Sequence, residues 1–143
     1  MGRELATIPS PPARHEMGYA DLMRFESGDL ALLSETEEIE IETAGPDGSA
    51  HRTIIWVMVD GDDAFIRSVR GRSARWFREA TADGRVVVHA GRRAIPAHVE
   101  SAGDPDSIRR TNDALTRKYT GIDGYPEMLE PSIMDTTLRL TPS

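Results

Sequence analysis

Cysteine is absent from the 143 residues. That absence removes disulfides, thiolate metal sites and cysteine nucleophiles together, and it suits a reducing compartment. Lysine is nearly absent: Lys118 stands alone against sixteen arginines. No apolar run reaches the roughly 18 residues that a membrane span requires. The start, "MGRELATIPSPPARHEMG", has no apolar stretch like a signal-peptide core. The expectation is a cytoplasmic protein that makes no use of a membrane. An excess of basic charge is missing as well. The net charge is −7, whereas phosphate neutralisation by a general nucleic-acid binder needs a basic surface.

Several catalytic and metal motifs are also lacking. There is no phosphate loop ending in Gly-Lys-Ser/Thr and no glycine-rich dinucleotide fingerprint. His51, His89 and His98 fall in or beside three strands, but without the ligand spacing of a zinc site. "DGDD" at 60–63 has the composition of a calcium loop and not its distal glutamate, so it reads as a hairpin turn. No metal is expected. Ser68 and Ser73 have no evident base to activate them as nucleophiles.

What is present is a chain of one-domain length, ordered over 18–143 behind an extended arm at 1–17 that carries "PSPP". Tyr19, Leu22 and Met23 give a short amphipathic helix stopped by Gly28, and "DLALLSETEE" adds at most a further turn. Six strand signals follow. "EEIEIET" alternates; "TIIWVMVDG" is almost wholly apolar and should be buried on both sides. "AFIRSV" returns across the "DGDD" turn, and "RVVVHAG" and "RAIPAHVE" form a hairpin about Gly91. Pro96 marks the second of these as an edge or bulged strand. "TTLRLTP" is the last strand. One helix, begun by Ser73 and closed by Gly84, follows the third strand. A longer one precedes the last strand, capped by Asp104 with Pro105 in first position and ended by Gly121. Hairpin turns leave no room for parallel crossovers. The expected fold is therefore mainly β with helices, a small barrel in which six short strands close on themselves.

The charge is unevenly placed. Between Ile66 and Arg93 eight arginines meet only Glu79 and Asp83, a local +6 in an acidic chain. In "IRSVRGRSARWF", Arg67, Ser68, Arg70, Arg72, Ser73 and Arg75 surround a turn between a strand and a helix start, with Trp76 and Phe77 beside it. A helix N-terminus with arginines and hydroxyls is suited to an anion, and the aromatic area to a flat ring. The same residues also read as a solvated helix face, with Arg72, Arg75 and Arg78 paired to Glu79 or to "EEIEIE".

The pattern W-V-x-V-D-G-D from Trp56, R-S-x-R-G from Arg67 and R-W-F from Arg75 resembles the FMN-binding split-barrel superfamily. That group includes pyridoxamine-phosphate oxidases and deazaflavin-dependent nitroreductases. Within it the pattern is closer to a little-characterised domain family, over roughly 25–141. The resemblance implies a six-stranded antiparallel split β-barrel, with one helix after the third strand and one long helix before the last, and a homodimer with two cofactor sites at the subunit interface. It puts a cofactor phosphate at Arg67, Ser68, Arg70, Arg72, Ser73 and Arg75, and the ring near Trp56, Val57 and Met58. The implied cofactor is FMN or a deazaflavin, with loss of the cofactor altogether left open, and haem is bound by some members. Nitroreductase relatives commonly carry a lysine and small residues where this chain has arginines, and the substrate-phosphate pattern of the oxidases is missing.

Three functions are then open. One is an oxidoreductase that delivers hydride to a small electron-poor substrate, with Tyr119 and Tyr125 as candidate proton donors. Another is a non-catalytic binding protein that keeps the arginine patch. The third is single-stranded nucleic-acid binding through the arginines and Trp76, which the net charge disfavours.

Overall fold

The computed structural model describes residues 24–143. The arm expected over 1–17 and the amphipathic stretch of Tyr19, Leu22 and Met23 lie outside the described residues. Among these, the chain runs α1 (Ser27–Glu35), β1 (Ile39–Ala44), β2 (Ala50–Ile55), β3 (Met58–Asp60) and β4 (Asp63–Ile66). It continues through α2 (Arg75–Asp83), β5 (Arg85–Ala90), β6 (Arg93–Ser101), α3 (Pro105–Tyr119) and β7 (Leu138–Pro142). Two 3-10 segments, Pro126–Leu129 and Pro131–Thr136, fill the stretch between α3 and β7.

All strands join one antiparallel sheet in the order β2-β1-β5-β6-β7-β4-β3. Its two outermost strands are consecutive in the chain, linked only by Trp56 and Val57. Laid flat, seven strands about 4.8 Å apart would separate those edges by nearly 30 Å. The three Cα steps from Ile55 to Met58 span at most about 11 Å. The sheet must therefore curl until its edges approach, which its native twist permits. The result is a split barrel.

The seventh strand arises where the apolar run at 53–61 breaks. Ile55, Val57 and Met58 are buried, yet Arg52 and Ile54 on β2 face outward and are exposed. Burial on both sides thus holds for the beginning of β3 and not for β2. The reason is layering: β2 is an edge strand whose outward side chains Arg52 and Ile54 are exposed, whereas α3 packs on β3. The β3–β4 hairpin consequently separates two cores. Ala64 and Ile66 join Ile39, Ile41, Val88 and Leu140 in the barrel interior. Phe65 and Met58 face the other way, against Leu115, Tyr119 and Met128. Arg110 of α3 fastens the hairpin through Asp60 (2.6 Å) and Asp63 (2.8 Å).

Other expectations need correction. Gly28 does not stop a helix but lies inside α1, where burial of Leu30 and Leu33 outweighs its weak propensity. Pro96 does not mark an edge, because β6 sits between β5 and β7. Its carbonyl meets the Ser143 N–H, one step past the last β6–β7 pair at Ala97 and Pro142. The missing Pro96 N–H therefore falls at the end of a ladder, where little is lost. The start of α3 is as expected: the Asp104 carboxylate accepts the Ser107 N–H (3.0 Å), with Pro105 in the first turn.

Ile41, fully buried at the barrel centre, and Ile54, 61% exposed on the edge, give a test of this layering. Ile41→Ala is expected to cost about 2–5 kcal/mol in urea denaturation and Ile54→Ala well under 1 kcal/mol. Equal costs would contradict the placement of the core.

Candidate functional site

β4 ends at Ile66. Ladder bonds give way there to side-chain bonds. Arg67 turns inward and is only 1% exposed. Its Nε donates to Thr137 Oγ1 (2.9 Å), and its Nη1 donates to Asn112 Oδ1 (2.7 Å) and the Met128 carbonyl (3.0 Å). Its Nη2 is buried with no partner. Burial pushes the guanidinium down to about 10, so it stays charged at neutral pH. No carboxylate among the described residues pairs with it. An unpaired buried charge costs several kcal/mol, which makes this a cation in want of an anion.

The loop beyond Arg67 is tightly held. The Ser68 N–H donates to Thr136 Oγ1 (3.1 Å), and Ser68 Oγ donates to the Gly71 carbonyl (2.7 Å). Gly71 takes a φ of +75°, where a side chain would be strained. A 3-10 turn over Gly71–Ser73 leads into α2. Ser73 is not the cap of that helix. Its Oγ donates back to the Arg70 carbonyl (3.3 Å), and Ala74 occupies the cap position with no side-chain bond. The first-turn N–H groups of α2 are thus left without a side-chain acceptor.

These elements enclose a cleft of about 570 Å³. β2 supplies Thr53, Ile54 and Ile55, and the loop supplies Arg67, Ser68, Val69 and Arg70. Ala74, Arg75 and Trp76 at the start of α2 and Trp56, Gly124 and Met128 complete the lining. Arg70 and Arg75 form no ion pair among the described residues. Both tryptophans of the chain line the cleft. Ile54 and Val69, at 61% and 51%, are the exposed large hydrophobics among the described residues, and both border it.

Six of the expected site residues therefore meet here: Arg67, Ser68, Arg70, Arg75, Trp76 and Trp56. Four are off the wall. Arg72 pairs with Asp135 (2.9 Å) and Ser73 faces the turn. Val57 and Met58 have their side chains buried in the two cores. Thr53, Ile54, Ile55, Val69, Ala74, Gly124 and Met128 escaped sequence reasoning, because they come from separated segments with no shared pattern.

The candidate proton donors are also off the wall. Tyr119 is fully buried, and its hydroxyl donates to the Glu37 carbonyl (2.5 Å). Burial raises its pKa above the ordinary phenol range. Tyr125 shares a hydrogen bond with Thr116 (2.9 Å). The Tyr119 ring instead stacks on Trp56, with centroids 4.0 Å apart and planes 4° from parallel. Beside it, Lys118 Nζ donates to the Leu33 and Val57 carbonyls, both at 2.8 Å.

The histidines do not converge. His89 bonds Glu42 (2.8 Å) on the outer face of the sheet. His51 Nδ1 lies 3.0 Å from both oxygens of Glu79, which also accepts from Thr43 Oγ1 (2.8 Å). Burial raises the Glu79 pKa, but His51, Thr43 and Arg75 more than offset this and hold the carboxyl below its ordinary range. Glu79 therefore anchors α2 to the β1–β2 hairpin and is not free to pair with the arginine patch. No metal-binding group of three or more His, Cys, Asp or Glu occurs among the described residues, and no helix among them is long and apolar enough to cross a membrane.

The curled sheet, with its cleft at the end of β4, makes this a split-barrel protein. The chain belongs to the family described as "Uncharacterized protein conserved in bacteria (DUF2255)", matched over residues 29–140. No curated protein matches its sequence. Among solved structures it is similar to the conserved hypothetical protein Rv2991 of Mycobacterium tuberculosis, with a TM-score of 0.62 at 17% identity over 89% of this chain and 84% of that one. It is similar to HutZ, the haem storage protein of Vibrio cholerae, with a TM-score of 0.59 at 11% identity over 85% and 92%. A candidate pyridoxamine 5′-phosphate oxidase of Listeria innocua gives 0.56 at 16% over 81% and 90%. At these identities the likeness is one of fold.

Lys118 makes the seam between β2 and β3 sensitive to pH. Burial pushes its ammonium down to about 8 from an ordinary 10.5, with Glu37 opposing. Below pH 8 both folded and unfolded chains carry this proton. Between 8 and 10.5 the unfolded chain binds more, so this group's contribution to stability rises with pH. Unfolding free energies of the natural chain minus those of Lys118→Met should therefore increase from pH 7.5 to pH 10. A difference that stays flat would refute the burial of the charge.

Proposed function

We propose that the cleft binds a flavin-type cofactor, FMN or a deazaflavin, and that the protein is an oxidoreductase acting on a small electron-poor organic substrate. The observation that carries this reading is Arg67: a buried cation with no carboxylate, at a cleft that also holds both tryptophans. The cofactor's phosphate end meets Arg67, Arg70 and Arg75 near the uncapped start of α2, and its ring lies toward Trp56. The volume falls within the usual range for cofactor sites. When bound, the cofactor supplies hydride chemistry, for which enones, imines, quinones and nitro compounds are suitable acceptors. The chain's own part is to neutralise the phosphate, orient the ring and exclude water.

The lining has no histidine to serve as an axial ligand, which favours a flavin over haem. Among the described residues it also has no carboxylate and no tyrosine. A reading in which the substrate proton comes from solvent accords with that lining. The same observation supports a second reading, in which the protein binds its ligand without turnover. The exposed Ile54 and Val69 at the cleft mouth support a homodimer in which a second copy covers them.

Absorbance titration with FMN and with 5-deaza-FMN is expected to show saturable binding. Arg70→Ala combined with Arg75→Ala should weaken it at least about tenfold, since each charge-assisted bond is worth about 1.5–3 kcal/mol. No saturation with either cofactor would end the redox reading. Binding without turnover of any acceptor by the reduced form would favour the non-catalytic one.

A further inference from the structure

Trp56 occupies an unusual place. It is one of two residues that join the sheet's outermost strands, and it also lines the cleft. One face of its indole is taken by Tyr119 in a nearly parallel stack. Its edge is approached by Gly124, whose φ is +97° and where a Cβ would lie 3.6 Å from the indole Cη2. Tyr119 itself does not reach the cleft. Its hydroxyl is held by the Glu37 carbonyl, and its neighbour Lys118 holds the Val57 carbonyl, the residue after Trp56. Two consecutive residues at the end of α3 thus fix both the plane of the Trp56 ring and the main chain that carries it.

We infer that Tyr119 is a positioning residue that sets the plane of Trp56 as the stacking wall of the cleft, with Lys118 locking the main chain behind it. This makes ring recognition separate from anion recognition. The arginine end takes the phosphate, while the ring end depends on two side chains that touch no ligand. An aromatic wall held from behind needs no reordering when a flat ring meets it, so the stack contributes to affinity in full. The identity of the ring rests on the cofactor reading above; the control of Trp56 by Tyr119 rests on geometry alone.

The test uses a Trp76→Phe parent, in which Trp56 is the sole tryptophan. Tyr119→Phe and Tyr119→Leu are then compared with that parent. Acrylamide quenching of Trp56 without ligand is expected to rise about twofold in Tyr119→Leu and to stay unchanged in Tyr119→Phe, which keeps the stack. FMN affinity should fall about tenfold in Tyr119→Leu and recover in Tyr119→Phe, while inorganic phosphate affinity, read by thermal shift, stays at the parent value. Unchanged quenching in Tyr119→Leu would overturn the inference, and so would phosphate affinity falling in step with FMN. If the natural chain binds no FMN, the cofactor reading fails, and the quenching comparison still decides whether Tyr119 positions Trp56. If Tyr119→Leu does not fold, Lys118→Met takes its place. It leaves the Val57 carbonyl with only the longer bond from the Tyr119 hydroxyl (3.4 Å) and should raise quenching in the same direction; no change would overturn the inference.

Discussion

The two-residue seam at Trp56–Val57 is the constraint on which the rest of the structure depends. Because it joins opposite edges of a seven-stranded sheet, the sheet cannot stay open. Curling creates an interior for Ile39, Ile41, Val88 and Leu140. It also leaves a split beside β2, where an uncovered strand edge, the end of β4 and the start of α2 come together around the cleft. A residue at the seam belongs to fold and site at once. Trp56 is that residue, and α3 holds it from behind.

The second organising feature is the separation of charge. The chain is acidic as a whole, and its exposed arginines mostly find acids: Arg93 with Asp29, Arg109 with Asp106, Arg72 with Asp135. Arg67 does not. It is held by a hydroxyl, an amide and a carbonyl, three neutral acceptors from three separate segments. Neutral acceptors orient a guanidinium without cancelling its charge, and low local polarity strengthens its attraction for an anion. Arg67 thus differs from the exposed arginines that pair with acids, and the proposed anion site rests on it.

Much of the fold was legible because turns carry chemistry. The β1–β2 hairpin over "AGPDGSA", the tight return at Gly61, the hairpin about Gly91 and the Asp104–Pro105 helix start all appear where glycine, proline and aspartate place them. The break at Trp56–Val57 was not legible, since both residues are apolar and continue an apolar run. Nor could Pro96 be placed centrally, because its position depends on where β7 stops. At the site, the arginine–serine turn led to the residues that line the cleft at the end of β4. It did not disclose that Arg67 turns inward, because its partners lie 45 to 70 residues away in sequence. Tyr119 looked like a reactive hydroxyl for the same reason: its stack with Trp56 and its bond to Glu37 are tertiary.

The central claim is that this cleft is built around an anion. Isothermal titration of the full chain with FMN and with riboflavin, which differ by the phosphate alone, tests it most directly. Loss of the phosphate is expected to weaken binding at least about thirtyfold, as befits a group held by charge-assisted bonds worth 2 kcal/mol or more. Equal affinity for the two, or binding of riboflavin alone, would contradict it.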